Sequence, residues 1–354
     1  FVLNDMGTGK TLAALWATDF LYINNKINKT LIVCPLSIID EGWGDEIFFS
    51  FPHRKKVILH GSRAERLHRL NQKAHYYIIN HDGIRILWKE LVKAKFDVII
   101  IDESPAFKNN TTDRTVAMRK ISHAKTVKAV WGLTGSPTAN SPLDAFGQIR
   151  VVNPKTITPY YTRFRDSIMT QFDAFTWIPK PGWEDLVAEA MKPAIRFKLR
   201  DCVDLPETIF EPPRKIPMSK EQLSLYKEMK EQYYTEHKDG LITAQNAGVK
   251  ALKLLQIASG AVIDEEKVLH VLDCKPKLKE LDLIFQEAGK SPLIIFSTFR
   301  GSVTMIEKYG LSKGMRVGSI MGKVSRTKRR DIFRAFKAGE IDWLVAQPGL
   351  CLMD

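Results

Sequence analysis

Cysteine is scarce and badly spaced for chemistry. Four occur in 354 residues, Cys34, Cys202, Cys274 and Cys351. No pair has zinc-ligand or redox spacing, so a zinc-finger or dithiol framework is excluded and reduced thiols in a cytoplasmic compartment are expected. Long apolar runs are lacking as well. The most compact, Val98-Ile99-Ile100-Ile101, has the length of a buried strand, whereas a bilayer span takes roughly 20 residues. There is no repeat of fixed period and no low-complexity tract. An initiating Met is missing too: residue 1 is Phe. Phe1-Val2-Leu3 and Leu344-Val345-Ala346 both read as buried strands, as if the chain were cut from a longer one. Acidic residues are in deficit, 40 against 53 Lys and Arg, which leaves a net charge of +13. Such an excess favours polyanionic partners, nucleic acid first, with plain solubility as the alternative. The one local basic cluster, Arg326, Lys328, Arg329 and Arg330, reads equally as the solvated face of a helix.

What is present is the profile of a globular protein, 44% hydrophobic and 26% charged, long enough for two domains. Short apolar runs alternate with amphipathic ones. Strands are expected at 30–34, 56–59, 76–80, 97–101 and 127–131, and helices at 11–23, 38–49, 62–72, 84–93 and 113–122. That alternation predicts an α/β fold with a parallel sheet covered on both faces. From about 156 to 197 aromatics and prolines crowd together, which predicts a mostly helical insertion with Trp177 and Trp183 in its core in preference to base stacking. Leu205-Pro206-Glu207 and Glu211-Pro212-Pro213 mark a domain boundary, giving domains 1–205 and 206–354. Two long helices, 220–237 and 241–259, then open a second alternation: helix 277–288, strand 293–297, helix 302–309, strand 316–320, helix 326–337, strand 343–346.

Two segments carry chemistry. Asn4-Asp5-Met6-Gly7-Thr8-Gly9-Lys10-Thr11 lies between a strand and a helix, the setting of a phosphate-binding loop. Gly7, Thr8 and Gly9 would let the backbone wrap an anion, Lys10 would reach the outer phosphates, and the Thr11 hydroxyl would bind magnesium. Asn4 stands where the pattern has its first Gly. The second segment is a hydrophobic strand ending in Asp102-Glu103. Asp102 suits a magnesium ligand, and Glu103 suits a base that positions and activates water. Alone, such a pair reads as a solvated turn; downstream of a phosphate loop it reads as a hydrolytic site. Lys10, Asp102 and Glu103 are thus the catalytic candidates, with Mg2+ and ATP as cofactors. The histidines 53, 60, 68, 75 and 81 share no helix face and are read as packing or surface residues.

These residues resemble the Swi/Snf-type ATPases of helicase superfamily two. Asp102-Glu103 followed by Lys108-Asn109 resembles the family's Asp-Glu box, and 5–11 resembles its DEMGLGKT loop, with Thr8 a further departure. Further segments match in order: Ile32-Val33-Cys34-Pro35-Leu36-Ser37 with Trp43 and Glu46; Leu133-Thr134-Gly135-Ser136-Pro137 with Asn140; Leu205-Pro206 with Tyr226; 294–299; Gly322, Arg329 and Phe333; and 344–349. In detail the chain is similar to compact phage and bacterial members. The resemblance implies two RecA-like lobes with ATP between them, the second lobe incomplete here, acting as a DNA-stimulated ATPase that tracks along duplex DNA. Carried over by position, Thr134 and Ser136 would couple the nucleotide to the DNA groove, and Pro35, Ser37, Asn80, Ser297 and Thr298 would line that groove, gripping mainly phosphates. A monomer in the cytoplasm of a bacterium or phage-infected cell is expected, without membrane contact. A strand-separating helicase on DNA or RNA, and a binding platform without turnover, remain as alternatives. The adenine-contacting segment is expected before residue 1 and the arginine finger beyond residue 354. Since such a finger is worth about 10³–10⁵ in rate, the 354-residue chain is expected to turn over ATP slowly beside the complete protein. A steady-state phosphate-release assay on both checks this, and equal rates would refute it.

Overall fold

The computed structural model describes residues 1–204, 208–237, 240–244 and 246–348. The chain divides into two compact units, Phe1–Thr208 and Ile209–Asp354. Leu205-Pro206, where the sequence places a boundary, lies outside the described residues.

In the first unit, β1 (Thr30–Cys34), β2 (Lys56–Ile58), β3 (Tyr76–Asn80), β4 (Val98–Asp102) and β5 (Ala129–Leu133) form one parallel sheet in the order β2-β3-β1-β4-β5. Helices α1 (Lys10–Ile23), α2 (Trp43–Ser50), α3 (Arg63–Leu70), α4 (Gly83–Lys93) and α5 (Asp113–Ser122) connect them. Every residue of β1, β3 and β4 is buried. Successive strand residues point to opposite faces, so each continuous apolar run feeds two cores. Leu31, Val33, Ile79, Ile99 and Ile101 pack toward α4 and α5. Ile32, Cys34, Ile78 and Ile100 pack toward α1 and α2 through Leu15, Tyr22, Trp43 and Ile47. The opening Phe1-Val2-Leu3 extends the sheet: Val2 bridges in parallel to Leu133 and to Ile195. The parallel register brings Cys34, Asn80, Asp102 and Leu133 to one edge of the sheet.

After β5 comes α6 (Asp144–Val152), which the sequence pattern does not announce. Gly147 and a β-branched end weaken its propensity; burial of Ala145, Phe146 and Ile149 holds it. The 156–197 insertion is mostly helical, as expected, with a short hairpin that the sequence does not announce. Helices α7 (Tyr161–Ile168) and α8 (Trp183–Ala190) flank an antiparallel hairpin, β6 (Met169–Gln171) and β7 (Trp177–Pro179). The Asp173 carboxylate accepts from the amides of Phe175 (2.8 Å) and Thr176 (2.6 Å), closing the turn. Trp177 and Trp183 pack partly buried on the insertion's core. A short α9 (Leu199–Cys202) follows.

The second unit also departs from expectation. In place of two long helices it has α10 (Lys220–Gln232), a hairpin of β8 (Tyr234–His237) and β9 (Gly240–Thr243), then α11 (Ala247–Ser259). Tyr233, at φ 65°, ends α10 in the left-handed region, and the strand-forming residues after it pair instead of coiling. A second hairpin, β10 (Ala261–Ile263) with β11 (Leu269–Val271), precedes α12 (Lys275–Glu287). Then β12 (Leu293–Phe296), α13 (Arg300–Ser312), β13 (Val317–Ile320), α14 (Arg326–Lys337) and β14 (Trp343–Ala346) build a parallel sheet in the order β12-β14-β13. Phe285, Val303, Trp343 and Val345 fill one side, and Ile320, Leu344 and Ala346 with Phe333 the other. Among the described residues, no helix is long and apolar enough to cross a membrane.

Candidate functional site

The phosphate loop turns on Gly7 (φ 78°) and Gly9 (φ 74°), left-handed positions that glycine adopts without strain. Gly9 precedes α1, and no side chain caps that helix. Its first amides therefore point outward with the positive end of the helix dipole, the arrangement that takes an anion. Lys10 Nζ donates to the carbonyl oxygens of Asn4 (3.0 Å) and Asp5 (2.9 Å), and Thr8 Oγ1 donates to Asp5 O (2.7 Å). Thr11 is the second residue of α1.

Asn4 explains its own departure from the pattern. It is buried, and its Oδ1 accepts from the Phe197 amide at 3.0 Å. Asp5 adds two ties to the same segment: its amide donates to Phe197 O (3.0 Å) and its carboxylate accepts from the Leu199 amide (3.0 Å). A glycine could not supply the first of these bonds. The loop is thus braced by the return of the insertion, a role the sequence reading missed because the contact spans 193 positions.

Asp102 closes β4, nearly buried, with both oxygens engaged. Trp43 Nε1 donates to Oδ2 (2.8 Å), and the Glu103 amide donates to Oδ1 (3.0 Å). Burial raises its carboxyl above the usual range, while Trp43, the Glu103 amide and the Lys10 ammonium oppose that rise. Glu103 stands accessible at the rim, in the left-handed region at φ 49°. It too is raised, first by surrounding protein that thins its hydration, then by Asp102, with Lys10 opposing. One ammonium thus acts on both carboxylates, so Lys10, Asp102 and Glu103 share a single charge neighbourhood. His81 buttresses it. Its buried ring nitrogen bonds the Asp102 carbonyl oxygen at 2.8 Å, and burial pushes its pKa down to about 4. The neutral ring then donates that bond through Nε2.

Thr134 is buried; its amide donates to Val2 O (3.0 Å) and its Oγ1 accepts from the Ser136 amide (3.1 Å). A Cβ at Gly135 would lie 3.5 Å from Asn4 O and 3.7 Å from the Met6 amide, so this loop rests against the phosphate loop. The same sheet edge carries Pro35, buried after β1, and half-buried Ser37 in a short 3-10 helix. Asn80 is also there, but its Oδ1 faces inward, accepting from buried Arg66 at 3.1 Å. Ser297 and Thr298 belong to the second unit, just past β12. The Ser297 amide donates to Ala346 O (2.9 Å), and Gln347 Nε2 donates to Thr298 O (3.0 Å).

The donor set fits a magnesium–nucleotide. An uncapped helix start and an ammonium parked on two carbonyls match a polyphosphate, and a hydroxyl with an oriented carboxylate matches a hard divalent cation.

Residues 2–278 match the model of the SNF2-related domain. The chain therefore belongs to the SNF2-related family, the Swi/Snf-type members of helicase superfamily two. It is 28% identical over 307 residues to protein p41 of Acyrthosiphon pisum secondary endosymbiont phage 1, covering 82% of this chain and 66% of that protein. It is 26% identical over 306 residues to an uncharacterised ATP-dependent helicase of Mycoplasma genitalium, covering 84% of this chain and 28% of that one. To the Drosophila melanogaster SWI/SNF-related regulator of chromatin subfamily A-like protein 1 it is 26% identical over 174 residues, 48% of this chain and 22% of that protein. The chain thus spans less than two thirds of these relatives' lengths. The SWI2/SNF2 ATPase core of Sulfolobus solfataricus, solved in complex with dsDNA, shares the fold at TM-score 0.51 and 19% identity, covering 98% of this chain and 73% of that one.

The Trp43–Asp102 bond is open to direct test. Trp43→Phe keeps an aromatic ring and removes the donor. A hydrogen bond to a charged group is worth about 1.5–3 kcal/mol, so magnesium-dependent nucleotide binding should weaken roughly tenfold or more. Magnesium titration with a fluorescent ADP analogue measures this; unchanged magnesium dependence in a folded variant would remove Trp43 from the site.

Proposed function

We propose that this chain is the motor portion of an ATP-dependent DNA translocase whose hydrolysis is stimulated by duplex DNA. The observation that carries the reading is the phosphate loop, left-handed at Gly7 and Gly9 before the uncapped start of α1, on a sheet whose neighbouring strands end in register at Leu133 and Asp102. When bound, magnesium–ATP supplies the phosphoryl group and the cation that polarises it. The protein's part is binding, orientation and proton handling. Lys10, now on the Asn4 and Asp5 carbonyls, would hold phosphate oxygens in their place. The Gly7, Thr8 and Gly9 backbone cradles those oxygens. Thr11 and Asp102 would hold the metal, with Trp43 fixing the carboxylate. Glu103, accessible at the rim, orients water and takes its proton.

DNA as the polyanion is supported by the net charge of +13 and by the fold shared with a core solved on dsDNA. Thr134 and Ser136, on a loop that touches the phosphate loop, are placed to link nucleotide state to the groove. Pro35, Ser37, Asn80, Ser297 and Thr298 form the groove contacts in this reading, with Asn80 acting through its backbone or amide nitrogen. Strand separation is the second reading. It is favoured by the β6–β7 hairpin, whose turn presents Phe172 and Phe175 at 73% and 95% exposure, an aromatic point of the kind that stacks on bases.

The complete protein should hydrolyse ATP faster with duplex DNA than with RNA, and should displace a triplex strand without unwinding a plain duplex. Lys10→Ala should lower turnover about 100-fold or more. Because both carboxyls are raised in the metal-free protein, protons compete for them earlier than for ordinary carboxylates, so magnesium binding should weaken on acidification at a pH above the usual carboxylate range. Turnover indifferent to every nucleic acid, or intact in Lys10→Ala, would end this reading.

A further inference from the structure

Helix α6 lies across the two loops that flank the hydrolytic residues. Gln148 is buried, 1% exposed, and three hydrogen bonds end on it. Its Oε1 accepts from Ser104 Oγ at 2.8 Å; its Nε2 donates to Pro137 O at 2.6 Å and to Asp144 O at 2.9 Å. One turn earlier, Asp144 Oδ2 accepts from Lys108 Nζ (3.2 Å) and from the Asn140 amide (3.3 Å). Gly147 lies on the same helix face, since positions three and four apart are neighbours. A Cβ there would sit 2.3 Å from the carbonyl oxygens of both Phe107 and Lys108. The helix backbone therefore rests directly on the segment that follows Asp102-Glu103.

Each side chain has one partner in 104–108 and another in 137–140. From this we infer that α6 is a rigid clamp transmitting nucleotide state from the Asp102-Glu103 box to the 134–140 loop, with Gln148 its main positioning residue. The inference rests on the motor reading above and names a part of that machine. Its physical basis is the cost of an unpaired buried amide. If Ser104 shifts with Glu103 while Pro137 stays, Gln148 must abandon one of them, so the two loops move together. Gln148 touches neither nucleotide-binding nor DNA-groove residues and acts only through its neighbours.

The test uses the complete protein as wild type, Gln148→Leu and Ser104→Ala. Amide hydrogen exchange of residues 134–140 is followed with and without magnesium and a non-hydrolysable ATP analogue. In the wild type the nucleotide should slow this exchange about tenfold. Both variants should bind the analogue with unchanged affinity and lose the slowing. Should Gln148→Leu fail to fold, Ser104→Ala, which deletes one hydroxyl, decides alone. Slowing retained in a folded variant, or absent from the wild type, overturns the clamp. Slowing seen in a wild type that DNA does not stimulate would instead refute the motor reading and leave the clamp standing.

Discussion

The Lys10 ammonium is the charge that links the phosphate loop to the acidic pair. It sits between a helix start rich in unpaired amides and two carboxylates crowded by protein, and it lowers the cost of keeping those carboxylates ionised. Neither group reaches the other through local sequence. They meet because parallel strands end together: Val2, just before the phosphate loop, bridges Leu133, and Leu133 lies in register with Asp102. The all-buried β1, β3 and β4 fix that register, since a slip of one residue would exchange the two core faces.

Around this centre the fold spends buried polar groups on orientation. Trp43 aims an indole N–H at Asp102, neutral His81 secures the backbone behind it, and Arg66 holds Asn80 and the Leu59 and Gly61 carbonyls. Asn4 and Asp5 fasten the phosphate loop to 197–199. Each of these would be costly unpaired, so each resists rearrangement. The segments that follow Glu103 and Thr134 are both hydrogen-bonded to Gln148 of α6, through Ser104 and Pro137.

Much of this was legible in the sequence, and for a physical reason. Continuous apolar runs of strand length at 30–34 and 76–80 admit few other fates, and both strands end where expected. The glycines of 7–9 with Lys10, and the carboxylates after a buried strand, advertise their chemistry locally. Helix α6 was hidden because Gly147, placed for close approach to Phe107 and Lys108, reads as a breaker. The β8–β9 and β6–β7 hairpins were hidden because short strands flanked by helical patterns carry little periodicity. Asn4 looked like a defect in the loop, and only its partner at Phe197 shows the substitution to be a brace.

The most direct measurement is a crystal structure of the complete protein with magnesium and a non-hydrolysable ATP analogue. Lys10 Nζ should leave the carbonyls of Asn4 and Asp5 for the phosphates, with the metal held by the Thr11 hydroxyl and the Asp102 carboxylate. A triphosphate bound elsewhere, with Lys10 still on those two carbonyls, would contradict the shared site on which everything else here rests.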